Sequence, residues 1–148
     1  MDTAMNSGDD GGYALADPKA LQVLITRELP PALMEPLRAA YTLHEVFDRD
    51  ERLAYLADHG SELPAVITSG MVGLTAAEMA LMPNLKIVQT FAVGYETVDV
   101  EAAKARGVMV SNCAGNNDFS VAEHAIGLMI AITRNFKQGD LDARVMHW

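Results

Sequence analysis

Apolar residues recur along this chain in short runs of strand length, separated by stretches with helical spacing. The runs are Val23-Leu24-Ile25-Thr26, then 43–47, 65–68, 87–91 and 108–111. Each is too short for a buried helix and is bounded by turn residues, so five strands are predicted, the first of them buried. Pro30-Pro31 opens a helical stretch that continues to about Ala40. A proline is tolerated in a first turn, where its missing N–H has no partner to lose. Pro36 offers a second start for the same helix, with 30–35 as a turn. Residues 50–59 form an amphipathic helix stopped by Gly60. Thr75-Ala76-Ala77-Glu78 is a capping box, whose helix ends before Pro83. Asp99 caps the next helix, with Glu101 near its start, Lys104 and Arg106 near its end, and Gly107 following. Strands that alternate with helices of about ten residues predict an α/β fold: a flavodoxin-like parallel sheet with right-handed crossovers.

The end of the chain follows a different pattern. Ser120-Val121-Ala122-Glu123 is a second capping-box sequence, and the helix from there to about Phe136 is apolar on most of its circumference. A helix of that kind requires burial on all sides. Residues 1–19 have no hydrophobic period and include Ser7-Gly8-Asp9-Asp10-Gly11-Gly12, so they are expected to be a disordered leader. The expected organisation is a leader at 1–19, one sheet-based domain at 20–115, and a long linking helix within 116–148.

Composition narrows the function. The 148 residues carry a formal net charge of −9 with no Lys/Arg cluster. That excludes nucleic acid and anionic membranes as natural partners and requires any anion site to be local. The longest apolar run, 125–132, is far short of the roughly 20 residues that span a bilayer. The single Cys113 precludes an intrachain disulfide, and a cytoplasmic location is expected. His44, His59 and His147 have no metal-ligand spacing, so no metal site is expected.

The candidate chemistry gathers around 86–99. A strand ends there at the small residues Ala92 and Gly94, which leave backbone N–H groups open to a small anion; Gly94 can take positive φ without strain. In a parallel sheet, ligands sit at that carboxyl edge. Ser69-Gly70-Met71 follows the third strand on the same edge.

The motifs themselves are Ala92-Val93-Gly94-Tyr95-Glu96-x-Val98-Asp99, then Ala102-Ala103-x-x-Arg106-Gly107-Val108-x-Val110-x-Asn112, then Val121-Ala122-Glu123-His124. In that order they closely resemble the D-isomer-specific 2-hydroxyacid dehydrogenase family, over about 21–134. The resemblance implies the family's substrate-binding domain. It also implies that Val93 and Gly94 hold a substrate carboxylate through their N–H groups. Ala92 stands where the family often has glycine, and is tolerated if its φ is negative. Ser69 and Gly70 would line the cleft; relatives often carry arginine near Ser69, so one anion contact is expected to be lost. Asn117 matches a position near where nicotinamide meets substrate, although an asparagine there also caps helices well. The helix at 120–136 links two domains in the family and packs in a homodimer interface.

The family reduces a small 2-oxo acid to the D-2-hydroxy acid. It uses hydride from NAD or NADP, a His–Glu pair as proton donor and an arginine on the carboxylate. No Gly-x-Gly-x-x-Gly occurs in these 148 residues, and in the family that fingerprint and the catalytic Arg, Glu and His fall beyond the position of Trp148. The expectation is therefore no catalytic residue in this chain, no tight cofactor binding and no turnover alone. Glyoxylate or hydroxypyruvate is the preferred substrate class, and formate dehydrogenase the less favoured relative. His124 is not expected to be catalytic, Tyr95 is expected to pack beneath the turn, Glu96 to be solvated, and Cys113 to be a small buried hydrophobe. A non-catalytic dimerising remnant is the alternative. A receiver domain needs acidic residues where this chain has Arg27-Glu28 and Ser69-Gly70, and a lysine where it has Ala114-Gly115.

Overall fold

The computed structural model describes residues 18–146. Strands β1 (Gln22–Ile25), β2 (Thr42–Glu45), β3 (Ala65–Ser69), β4 (Ile87–Phe91) and β5 (Met109–Ser111) form one five-stranded sheet in the order β2-β1-β3-β4-β5. Every pairing is parallel. Helices α1 (Pro31–Ala40), α2 (Arg49–His59), α3 (Ala76–Ala80) and α4 (Val100–Ala105) join successive strands. Helices α5 (Asp118–Thr133) and α6 (Phe136–Arg144) follow the sheet. The predicted α/β, flavodoxin-like sheet is the one observed. The expected leader lies outside the described residues, except that its last two begin a 3₁₀ turn at Pro18–Ala20.

Strand alternation sends consecutive side chains to opposite faces, and each face has its own core. Leu24, Val66 and Val88 join Leu56, Leu74, Met79 and Met82 on one face. Val23, Ile25 and Ala65 join Leu29 and Met34 on the other. The chain runs from β1 outward to β2, then returns to place β3 on the other side of β1. The connections leaving β1 and β3 therefore diverge, which opens a crevice at their carboxyl ends.

Local signals mostly act as read. Thr75 and Glu78 form the reciprocal capping box of α3. Asp99 caps α4 by accepting from the Ala102 N–H at 2.9 Å. Three expectations need correction. Pro36 lies inside α1 and does not start it; the helix begins after Pro30 and is held by buried Met34 and partly buried Leu37 on either side of the proline. Ser120 does not cap α5, which begins two residues earlier, so the second capping box does not form. The final helix also stops at Thr133, because Asn135 adopts a left-handed conformation (φ 52°) and α6 starts anew. Helix α5 contributes no buried residue: Phe119 is 87% exposed and Ile132 77%.

Candidate functional site

Three threonines prepare the carboxyl edge of the sheet. Thr26 directly follows β1, Thr68 and Thr90 are next to last in β3 and β4, and all are fully buried. The Thr26 hydroxyl donates to Thr68 Oγ1 at 2.7 Å, and Thr68 donates to the Gly73 carbonyl at 2.8 Å. Thr90 donates towards the Ser111 carbonyl at 3.4 Å. A buried hydroxyl must be paired, so these bonds fix where each strand stops and its loop begins. Nothing in the sequence reading had singled them out, although a threonine near the end of each apolar run was visible.

The loops beyond β3 and β4 then close on one another. A Cβ on Gly70 would lie 2.6 Å from the Gly94 carbonyl carbon and 2.9 Å from its Cα, so glycine at 70 is required by close approach. Thr97 Oγ1 donates to the Gly70 carbonyl at 2.8 Å, and the Leu74 N–H donates to the Thr97 carbonyl at 3.3 Å. Ser69 and Gly70 are thus brought against Gly94, as placing them on one edge implied. The Ser69 hydroxyl is already engaged, accepting from the Met71 and Val72 N–H groups at 3.3 Å each.

The turn at 92–94 has its first two carbonyls tied down, while the N–H groups of Val93 and Gly94 are open. The Ala92 carbonyl accepts from the Cys113 N–H at 3.1 Å, and the Val93 carbonyl from Asn112 Nδ2 at 2.7 Å. Among the described residues neither the Val93 nor the Gly94 N–H has an acceptor. A trans peptide points its N–H opposite to its C=O, so Asn112 fixes the direction of the Gly94 N–H. Two neighbouring, unclaimed N–H groups in a concave turn form an anion-binding geometry. The strain in this turn is not at Gly94. It is at Ala92, with φ 90°, so the negative φ expected there is not found.

Residues 93 and 94 separate two cavities. Val93 lines one of about 530 Å³ with Asn117, Asp118, Val121, Ala122 and Ala125. Gly94 lines the other, about 230 Å³, with Arg27, Ser69, Gly70, Met71, Phe91, Ala92 and Glu96. Asn117 occupies the N-cap position of α5, yet its side chain makes no capping bond. Arg27 was overlooked as a site residue; its signal was position, as the first charged residue after β1 on the carboxyl edge. Glu96 is exposed, but a Cβ on Gly94 would lie 2.7 Å from its Oε2, so it belongs to the cleft wall. Tyr95 is half exposed and lines a separate cavity with Val100, Val110 and Asn112, so it does not pack beneath the turn. Cys113 is half-buried beside the Thr90 carbonyl (3.8 Å) and not a closed core residue. His124 lies exposed on α5, away from this edge and not buried with its helix as expected. His44 bonds Tyr55 and Gln22 on the edge strand, and burial pushes it below the ordinary histidine range. Among the described residues no three His, Cys, Asp or Glu side chains could hold a metal ion. No helix there is long and apolar enough to cross a membrane.

A five-stranded parallel sheet in this order, with two unclaimed N–H groups in the turn after β4, defines an α/β domain of the flavodoxin-like kind. Residues 23–139 match the family described as D-isomer specific 2-hydroxyacid dehydrogenase, catalytic domain, and the chain belongs to that family. It is 36% identical over 128 residues to D-3-phosphoglycerate dehydrogenase of Mycobacterium tuberculosis, covering 85% of this chain and 24% of that protein. It is 31% identical over 140 residues to glyoxylate reductase of Thermofilum pendens, covering 90% of this chain and 39% of the relative. Among solved structures, a 2-hydroxyacid dehydrogenase from Ketogulonicigenium vulgare Y25 superposes with a TM-score of 0.80 at 32% identity, over 86% of this chain and 40% of that one. The chain therefore spans well under half the length of these relatives.

Proposed function

We propose that this chain is the substrate-binding part of an NAD(P)-dependent D-2-hydroxyacid dehydrogenase, and that the turn at 92–94 holds the carboxylate of a small 2-oxo acid. The observation that carries this reading is the pair of unclaimed N–H groups at Val93 and Gly94, in a turn whose Ala92 and Val93 carbonyls are bonded elsewhere. Charge-assisted bonds from two N–H groups suit a carboxylate. The acid's 2-carbon would lie towards Val93 and Asn117, on the side from which α5 departs.

Glyoxylate and hydroxypyruvate are the preferred substrates, in line with the glyoxylate reductases among the relatives. The cofactor, NAD or NADP, supplies or accepts hydride when bound. The residues present do not fit it: none of the strand-to-helix turns carries Gly-x-Gly-x-x-Gly, so no hydride step is derived from them. The 148 residues alone are inactive in this reading, and the site of action is the cytoplasm. Amide NMR of the chain titrated with glyoxylate tests the assignment. Shifts concentrated at Val93 and Gly94 support it; shifts elsewhere, or saturable NADH or NADPH oxidation by the chain alone, refute one or the other half.

A specific observation also favours assembly. Val121, Ile126, Met129, Ile130 and Ile132 are all exposed on α5, an apolar surface that a second copy would cover through 120–136. Light scattering at about tens of micromolar distinguishes a dimer mass from a monomer.

A further inference from the structure

We propose that Arg27 is an anion-binding residue of this cleft, holding a second negatively charged group of the ligand beyond the carboxylate at Val93 and Gly94. This rests on the carboxylate reading above and extends it beyond glyoxylate and hydroxypyruvate, which carry no second charge, to a 2-oxo or 2-hydroxy acid with a distal carboxylate or phosphate.

Topology puts Arg27 where a ligand is expected. It is the second residue past β1, at the point where the connections from β1 and β3 diverge. It shares the cavity of about 230 Å³ with Ser69, Gly70 and Gly94. The Thr26–Thr68 bond ties the two strand ends together at the residue just before it.

Its side chain is held but not neutralised. The guanidinium carbon lies 6.0 Å from the centre of the Phe91 ring, and Nε donates to the Glu28 carbonyl at 3.3 Å. No carboxylate lies within ion-pair distance of it among the described residues. A planar guanidinium that uses Nε and one face on the protein keeps both terminal nitrogens for a bidentate contact with carboxylate or phosphate. In a chain of net charge −9 such a local cation is what an anionic ligand needs. Glu96, on the same wall, opposes it, so the cleft attracts an anion only on the Arg27 side.

Because Gly94 shares a cavity with Arg27 and Val93 shares one with Asn117, an acid lying across the turn would have its 2-carbon towards α5 and its far substituent on the Arg27 side. The distal carboxylate and the distal phosphate share this chemistry, and ligands separate them. The test titrates the whole chain by amide NMR, with the Arg27 Nε–H as a second probe. The probes are glycolate, D-malate and 3-phospho-D-glycerate. At least one dianion is expected to bind roughly tenfold tighter than glycolate and to move the Arg27 Nε–H. R27Q removes that advantage, R27K keeps part of it, and E96Q strengthens it. Whichever dianion gains identifies the distal group. Equal affinities for all three ligands, or an advantage that survives R27Q, overturns the role of Arg27 while leaving the carboxylate site standing. Absence of any shift at Val93 and Gly94 with glycolate overturns the underlying site, and this proposal with it.

Discussion

The two faces of the sheet are built from the same alternating strands but finished differently. On one face α2, α3 and α4 cover the sheet and enclose Leu24, Leu56, Leu63, Val66, Leu74, Met79 and Met82, all at 0% or 1% exposure. On the other, α1 stands over β1 and β3, while Ile67, Ile87 and Phe91 remain only partly buried. Beside them lies an apolar cavity of about 270 Å³ bounded by Leu33, Leu37, Phe91 and Cys113. Met109, on the edge strand β5, is 64% exposed. The closed face is self-sufficient. The open face and α5 leave large apolar side chains at the surface. Stability should therefore concentrate on the closed face, and function at the edge between the two.

The largest test of that division is the buried ion pair on the closed face. Arg52 Nε donates to Glu78 Oε1 at 2.7 Å, with the side chains 2% and 1% exposed, and among the described residues Arg52 Nη1 is buried without a partner. Glu78→Ala would leave a buried guanidinium uncompensated and remove half the α3 capping box, at a cost of about 3–5 kcal/mol in urea unfolding. Burial alone would raise the Glu78 carboxyl. The bonds it accepts from the Thr75 hydroxyl and N–H, and the Arg52 guanidinium, outweigh burial and hold it below its ordinary 4.5. A carboxyl that binds protons less tightly when folded contributes stability that is complete above pH 4.5 and is lost as pH falls through the lower folded value. Glu78→Gln should flatten that part of the acid-unfolding curve. A slope unchanged in the variant would remove the pair from the account.

Matched truncations compare the faces directly. Leu56 is 1% exposed on the closed face, and Leu56→Ala should cost about 2–4 kcal/mol. Ile87 is only partly buried on the open face, and Ile87→Ala should cost about 1 kcal/mol, because solvent already reaches its site. Equal losses would mean that the open face is closed in solution, by a second copy or by another segment. Repeating both variants across a range of protein concentrations separates those two cases, since only self-association depends on concentration.

The fold was legible because burial writes itself into local pattern. Every strand was read near its place, although β2 (Thr-Leu-His-Glu) is mostly polar and stops at Glu45, short of the end of the 43–47 stretch. Thr75–Glu78 and Asp99 acted as their positions implied. The failures occur where several residues offer the same signal or where partners are distant in sequence. Asn117, Asp118 and Ser120 all suit a helix start, and which one leads depends on how the chain leaves β5. The Arg52–Glu78 pair spans 26 positions, so nothing local reveals it. Val93, Gly94, Ser69 and Gly70 were found through the family's motif, and Asn112 was quoted in that motif without its role. That role exists only in three dimensions, as the donor fixing the Val93 carbonyl. Arg27 escaped because it was weighed only against the acidic residue that a receiver domain would need.

The smallest expected effect falls on the edge itself. Ala92 holds φ 90°, a region that costs a residue with a Cβ roughly 1–2 kcal/mol. It is kept there by the Cys113 N–H on its own carbonyl and by Asn112 on the next one. Ala92→Gly relieves that strain but adds conformational freedom to the unfolded chain, an opposing effect of about 0.4–1 kcal/mol. The net gain should be about 0.5–1 kcal/mol. If the strain serves to aim the Val93 and Gly94 N–H groups, glyoxylate binding should weaken about two- to threefold in the same variant, equivalent to about half a kcal/mol. Gain of stability with unchanged binding would make Ala92 an ordinary tolerated defect. Loss of stability would mean that the methyl group, exposed on the cleft wall, packs against something that covers this edge in solution.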